Sequence, residues 1–149
     1  MARPFYETKS QRDKEELIAN YVADRWDCNL VRMKAAFPVD YMLRRYSHAD
    51  EGESLAFAEI KHRQYTLDAI DRMGGLFVSL LKWGNAKNLC GIAACPLLVI
   101  LRDGADETYW FRTDDFSHDG ITFGGRTDRG DPQDCEPLIT LRKERFRRL

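Results

Sequence analysis

The run Leu55-Ala56-Phe57-Ala58-Glu59-Ile60-Lys61-His62 limits what this chain can fold into more than any other segment. Side chains of an extended strand alternate between faces. Leu55 and Phe57 therefore fall on one side, and Ala56, Ala58 and Ile60 on the other. A strand that is apolar on both faces is covered on both, which predicts a place at the centre of a sheet. The small Ala56 and Ala58 leave room for a helix to lie close. Glu59 and Lys61 share a face at the end of this strand, where drying a lone carboxylate or ammonium is costly.

The preceding segment supplies a partner. Residues 47–54 are polar and charged and carry Gly52, which marks a hairpin connection. On its far side stands Val39-Asp40-Tyr41-Met42-Leu43. Folding symmetrically about the Asp50/Glu51 junction sets Asp40 opposite Lys61 and Met42 opposite Glu59. Opposed residues share a face, so Asp40 joins Glu59 and Lys61, whereas a slip of one residue would send it to the other side. Two carboxylates and an ammonium converging at a strand end are what a metal-dependent phosphodiester hydrolase requires. The alternative for the same residues is an ordinary ion pair at a solvated sheet edge.

Around this hairpin the chain reads as α/β. Ser10 can cap a helix over about residues 11–25, with Leu17, Ile18, Tyr21 and Val22 at helical spacing. Residues 29–36 read as a first strand, Pro38 opens the second, and residues 55–62 form the third. Thr66 can cap the next helix, with Asp68 in its first turn and Leu67, Ile70, Gly74, Phe77 and Leu81 in one stripe. Gly74-Gly75 predicts a kink or two helical pieces. Residues 96–101 are a buried strand that, after a helical crossover, joins the sheet parallel to an existing strand with right-handed chirality. Residues 107–112 pair with it, and short strands follow at residues 121–123 and 137–140.

In this order, an antiparallel meander carries an acid and then acid-x-lysine, is enclosed by helices, and is followed by a buried strand. It resembles the PD-(D/E)XK nuclease superfamily over about residues 11–101. Pro38-Val39-Asp40 departs from the superfamily's opening dipeptide by one inserted residue, so the proline carries no weight. The resemblance implies a restriction-endonuclease-like αβββαβ core, here with residues 102–149 as an extension within a single domain. It also implies a Mg2+-dependent endonuclease, with Mn2+ able to substitute.

The chemistry assigns roles. Mg2+ is a hard cation commonly held by one or two carboxylates plus water, which Asp40 and Glu59 would provide. By analogy with the superfamily, the Ile60 carbonyl is a third ligand. Lys61 would orient the attacking water and stabilise developing negative charge. The resemblance further suggests a carboxylate from the first helix, Glu16 with Glu15 or Asp13 as alternatives, and a polar residue near the site at Gln64. His62 is expected on the face opposite Lys61, as a structural or surface histidine.

At 149 residues with net charge −1, the chain is no polycation, so any nucleic-acid binding must come from local patches. Candidates are Arg44 beside Asp40, Arg126 and Arg129 in a glycine-rich loop, and Arg142, Lys143 and Arg145 in the basic tail. Trp83, Tyr109 and Trp110 suit core packing better than base stacking. Cys28, Cys90, Cys95 and Cys135 lack zinc spacing and read as reduced thiols. No apolar run reaches the length of a membrane span or a signal-peptide core, which predicts a cytoplasmic protein. DNA is the expected substrate ahead of RNA, a homodimer fits because one site cuts one strand, and the compact chain suggests structure-selective or weakly sequence-selective cutting, as in junction resolvases and phage or mobile-element nucleases. The alternative on the same scaffold is a non-catalytic nucleic-acid-binding or phage assembly protein.

Overall fold

The computed structural model describes residues 8–45, 54–125 and 135–149. Helix α1 (Lys9–Trp26) opens at Thr8, whose hydroxyl accepts the Gln11 N–H at 3.2 Å while Gln11 Oε1 accepts the Thr8 N–H at 2.9 Å. This reciprocal box satisfies two orphan donors at once, and it places the cap at Thr8, two residues before the expected cap at Ser10. Strands β1 (Cys28–Arg32), β2 (Tyr41–Arg45) and β3 (Ser54–His62) form the antiparallel meander. The first strand stops short of residue 36 because the chain turns at Lys34, whose carbonyl accepts the Phe37 N–H at 2.9 Å. The second begins at Tyr41 and not at Pro38, which has no N–H to give a ladder.

The segment after β3 departs most from expectation. Helix α2 (Leu67–Arg72) ends early, and Gly74 and Gly75 follow at φ 115° and 113°. These are conformations that other residues rarely adopt, and a Cβ on Gly75 would stand 2.7 Å from the Leu141 carbonyl oxygen. The chain leaves this turn as strand β4 (Leu76–Ser79) and only then enters helix α3 (Leu80–Ala93). Leu67, Ile70, Gly74, Phe77 and Leu81 therefore share no stripe: Phe77 lies on a strand, and Leu81 is 68% exposed.

Strand β5 (Leu97–Arg102) then pairs parallel with β3, Phe57 against Leu97 through His62 against Arg102, as expected for a crossover. Strand β6 (Thr108–Thr113) returns beside it. The remaining strands, β7 (Gly120–Gly125), β8 (Cys135–Leu141) and β9 (Arg147–Arg148), complete two sheets. The larger runs β1-β2-β3-β5-β6-β9 and the smaller β4-β8-β7. The class is the expected α/β with a mixed central sheet. Its αβββαβ core gains α2 and β4 ahead of the second long helix. The described residues after 101 are built into this architecture, since Ile139 and Leu141 are buried in the same cluster as Leu76, Val78 and Val99.

The central strand is covered on both faces, as its composition requires. On one, Ile18, Ala19 and Val22 of α1 pack over Ala56, Ala58, Ile60, Leu98 and Ile100. On the other, Phe57, Val99 and Leu101 meet Trp83, Ala86 and Cys90 of α3. Trp83 is core, its Nε1 donating to the Phe116 carbonyl at 2.9 Å, and Trp110 packs edge-on against Trp26. All four cysteines are free thiols. Among the described residues no helix is long and apolar enough to cross a membrane.

Candidate active site

Tyr41 pairs with Ala58 and Met42 with Phe57, so the register continues to set Asp40 abreast of Glu59. That is two residues from the expected alignment with Lys61. A shift of two preserves the face, and Asp40 still meets Glu59 and Lys61. Asp40 is fixed at three points: its N–H donates to the Ala58 carbonyl, its carbonyl accepts the Met33 N–H, and its Oδ2 accepts the Ile60 N–H at 2.9 Å. Backbone groups along a strand point alternately to its two neighbours. Phe57 and Arg63 donate toward the β5 side, which turns both backbone groups of Ile60 toward Asp40.

Glu59 is 3% exposed, which removes the reading of an ion pair at a solvated edge. Its Oε1 lies 2.8 Å from Lys61 Nζ and 2.7 Å from Nζ of Lys82, which also reaches Asp40 Oδ1 at 3.2 Å. Lys82 was not anticipated from the sequence. It stands in the first turn of α3, where Ser79 caps the helix by accepting the Lys82 N–H at 3.2 Å. Reading residues 66–81 as helical, kinked or in two pieces at Gly74-Gly75, hid that turn; an apolar Leu-Phe-Val run after two glycines, closed by Ser79, is the available signal.

The four charges set each other's protonation. Burial pushes the Glu59 carboxyl up, but Lys61 and then Lys82 outweigh it and hold it below its ordinary value. For Asp40, burial and then Glu59 raise the pKa beyond what Lys82 and Lys61 offset. Burial works against the Lys82 charge, yet Glu59 and Asp40 overcome it and raise its pKa. Despite both short ion pairs, the buried Glu59 Oε1 receives no hydrogen bond of good direction. An under-satisfied buried carboxylate beside a second one suits a hard divalent cation. Among the described residues no three His, Cys, Asp or Glu side chains converge, so such an ion would draw its remaining ligands from backbone and water.

Asp40, Lys61 and Lys82 open onto a cleft of about 970 Å3 between α1, the β1–β2 connection, the end of β3 and the start of α3, with Glu59 buried behind them. Arg12, Lys14, Arg32, Lys34, Lys61, Arg63 and Lys82 line it, against the acids Glu15 and Asp40. Arg32 braces one wall, with Nη1 3.4 Å from Glu15 Oε2 and Nη2 donating to the Arg12 carbonyl at 2.8 Å. Burial holds the Arg63 pKa down, partly offset by Glu59.

The other expected residues divide. Gln64 is exposed and lines the cleft, whereas Glu16 is exposed and does not; Glu15 is the α1 carboxylate at the cleft. His62 also lines it, and burial followed by the Lys14 charge lowers its pKa. Arg44 sits on β2, four residues after Asp40, and is not part of the cleft lining. Arg126 and Arg129 lie outside the described residues, as do residues 47–53 of the expected hairpin connection. The tail cations are committed within the fold: Arg142 grips Asp71 at 2.9 and 3.1 Å, Lys143 reaches Asp68 at 3.2 Å, and Arg145 grips Asp119 at 2.7 and 3.2 Å. Apart from Lys61, sequence reasoning missed the cleft cations because they are scattered from residue 12 to residue 82 and form no run.

Comparison with known proteins agrees with this geometry. The family model described as "Phage putative PDDEXK endonuclease" matches residues 1–149. No curated protein matches the chain significantly.

Proposed function

Since this chain belongs to the phage PDDEXK endonuclease family, we propose that it is a metal-dependent DNA endonuclease whose site is Asp40, Glu59 and Lys61. The observation that carries the reading is the meeting of two carboxylates with Lys61 and Lys82, of which Asp40 and both lysines open onto a cleft walled by cations.

Asp40 and Glu59 would hold Mg2+, or Mn2+ in its place, with the Ile60 carbonyl as a third ligand. When bound, the cation acidifies water and neutralises phosphate charge. The protein's own groups do the rest. Lys61 faces the cleft from the strand end, where its ammonium orients a water for in-line attack and stabilises charge growing on the phosphate. Asp40 is kept at its angle by the Ile60 amide, so the carboxylates are positioned before substrate arrives. Arg12, Lys14, Lys34 and Arg63 supply phosphate contacts on either side of the scissile bond. Gln64, at the rim, is a polar contact for the flanking nucleotide.

The contacts offered are to phosphate, which carries no sequence information. This favours structure-selective or weakly sequence-selective cutting, and a homodimer would bring a second site to the opposite strand. The test is to incubate wild type and Glu59→Ala with labelled single-stranded, duplex, flap and four-way-junction DNA, and with RNA, in Mg2+, Mn2+ or chelator. Metal-dependent cutting lost in the variant is the expected result. Binding without cutting on every substrate would instead favour a nucleic-acid-binding or assembly protein.

A further inference from the structure

We propose that Lys82 is an internal counter-ion that keeps the two carboxylates together in the metal-free protein, yields its place to a divalent cation, and thereby couples metal binding to phosphate binding. The inference rests on the nuclease reading above, and it concerns a residue outside the acid-x-lysine pattern.

Position is the first argument. The Lys82 ammonium lies 3.2 Å from Asp40 Oδ1 and 2.7 Å from Glu59 Oε1, so one cation already bridges both carboxylates that a metal would need. It does so from an unfavourable station. The first turn of a helix repels positive charge, and α3 carries no acid there to relieve it. The carboxylates, not the helix, hold this lysine in place.

Satisfaction is the second. Glu59 Oε1 takes both ammonium groups at ion-pair distance but in poor hydrogen-bonding directions. Lys82 is thus an imperfect occupant that a better-fitting cation can displace. Its side chain lines the cleft, so once displaced the ammonium remains where substrate phosphate would lie.

Charge balance is the third. Asp40 and Glu59 carry −2 in total and Lys61 and Lys82 carry +2, so the metal-free cluster is neutral. A divalent cation leaves the same groups with a surplus of two positive charges in a half-buried place. Phosphate relieves that surplus. Metal and nucleic acid then raise each other's affinity, as linkage requires of any such coupling.

The test is calorimetric titration of Ca2+ into wild type, Lys82→Met and Lys82→Arg, alone and with a short DNA duplex, with Glu59→Ala as control. Thermal unfolding in chelator runs alongside. Without DNA, Lys82→Met is expected to bind Ca2+ about tenfold tighter than wild type and to gain less affinity when DNA is added. Lys82→Arg should stay near wild type, while in chelator Lys82→Met should melt lower. Should Lys82→Met fail to fold, Lys82→Gln, whose amide still donates to one carboxylate, takes its place. Unchanged or weaker Ca2+ affinity in the neutral variant overturns the proposal and leaves the metal site standing, provided Glu59→Ala abolishes binding. Equal, negligible binding by all four proteins would overturn the metal reading itself.

Discussion

Asp40 Oδ2 accepts the backbone N–H of Ile60 at 2.9 Å, tying the first acid of the site to the strand that carries the second. The carboxylate thus acts as acceptor for an amide that β2 does not reach and as a presented charge. The two roles separate by substitution. Asp40→Asn keeps an oxygen for the amide and is expected to fold nearly as stably as wild type. Asp40→Ala strands the amide and should lose about 1–3 kcal/mol. Both should lower cleavage by about a hundredfold or more, since ligand charge is gone in each. Thermal unfolding beside single-turnover cleavage checks the pair; equal stability of the two variants would show that the Ile60 bond has no structural weight.

Glu59 and Lys61 should part in the same measurements. Replacing Glu59 by Gln leaves Lys61 and Lys82 without the buried charge they share at 2.8 and 2.7 Å. Removing one member of a buried pair is strongly destabilising, here by about 2–3 kcal/mol in chelator because both lysines retain some access to water. Lys61→Met, in contrast, leaves Glu59 paired with Lys82. It should melt close to wild type yet cut about a hundredfold more slowly, because the group beside the attacking water is missing. A large loss of stability in Lys61→Met would contradict this division of labour between Glu59 and Lys61.

Much of this was legible in the sequence because it rests on period-two alternation. The two-faced apolar run fixed β3 as central, and parity alone put Asp40 on the Glu59 face even though the register was off by two. Parity survives such an error. Lys82 was not legible, since its position depends on Gly74 and Gly75 breaking a helical stripe into strand and helix, and helix propensity does not report tertiary pairing of β4 with β8. The tail shows the opposite limit. Its cations form a run in sequence, but whether a run is open to phosphate depends on acids far along the chain, such as Asp71 and Asp119.

That brace should show in acid. The Asp119 carboxyl sits below its ordinary value near 3.8, chiefly through its bond to Arg145, with the Arg142 N–H adding to it against partial burial. A carboxylate whose pKa falls on folding stabilises the protein fully above its unfolded pKa. That contribution is lost as pH drops below 3.8 and through the lowered folded value. Asp119→Asn is therefore expected to be about 1 kcal/mol less stable than wild type at neutral pH. The two melting curves should converge once both forms of the carboxyl are protonated. A gap that persisted undiminished at low pH would mean that the loss came from packing and not from charge.

Cleft and tail make opposite predictions for nucleic-acid binding. Arg12, Lys14, Lys34 and Arg63 line the cleft beside the carboxylates, whereas Arg142, Lys143 and Arg145 spend their charges on Asp71, Asp68 and Asp119. Each phosphate contact removed should lower the slope of log affinity against log salt by about one. Lys14→Ala and Lys34→Ala should each show that loss in fluorescence anisotropy titrations of duplex DNA run across a salt series in Ca2+. Arg142→Ala should leave the slope unchanged and instead lower the melting temperature, because it breaks a two-pronged contact to α2. If the slope fell for Arg142 and held for Lys14, the substrate would run along the tail and the cleft would be only the catalytic end of a longer path.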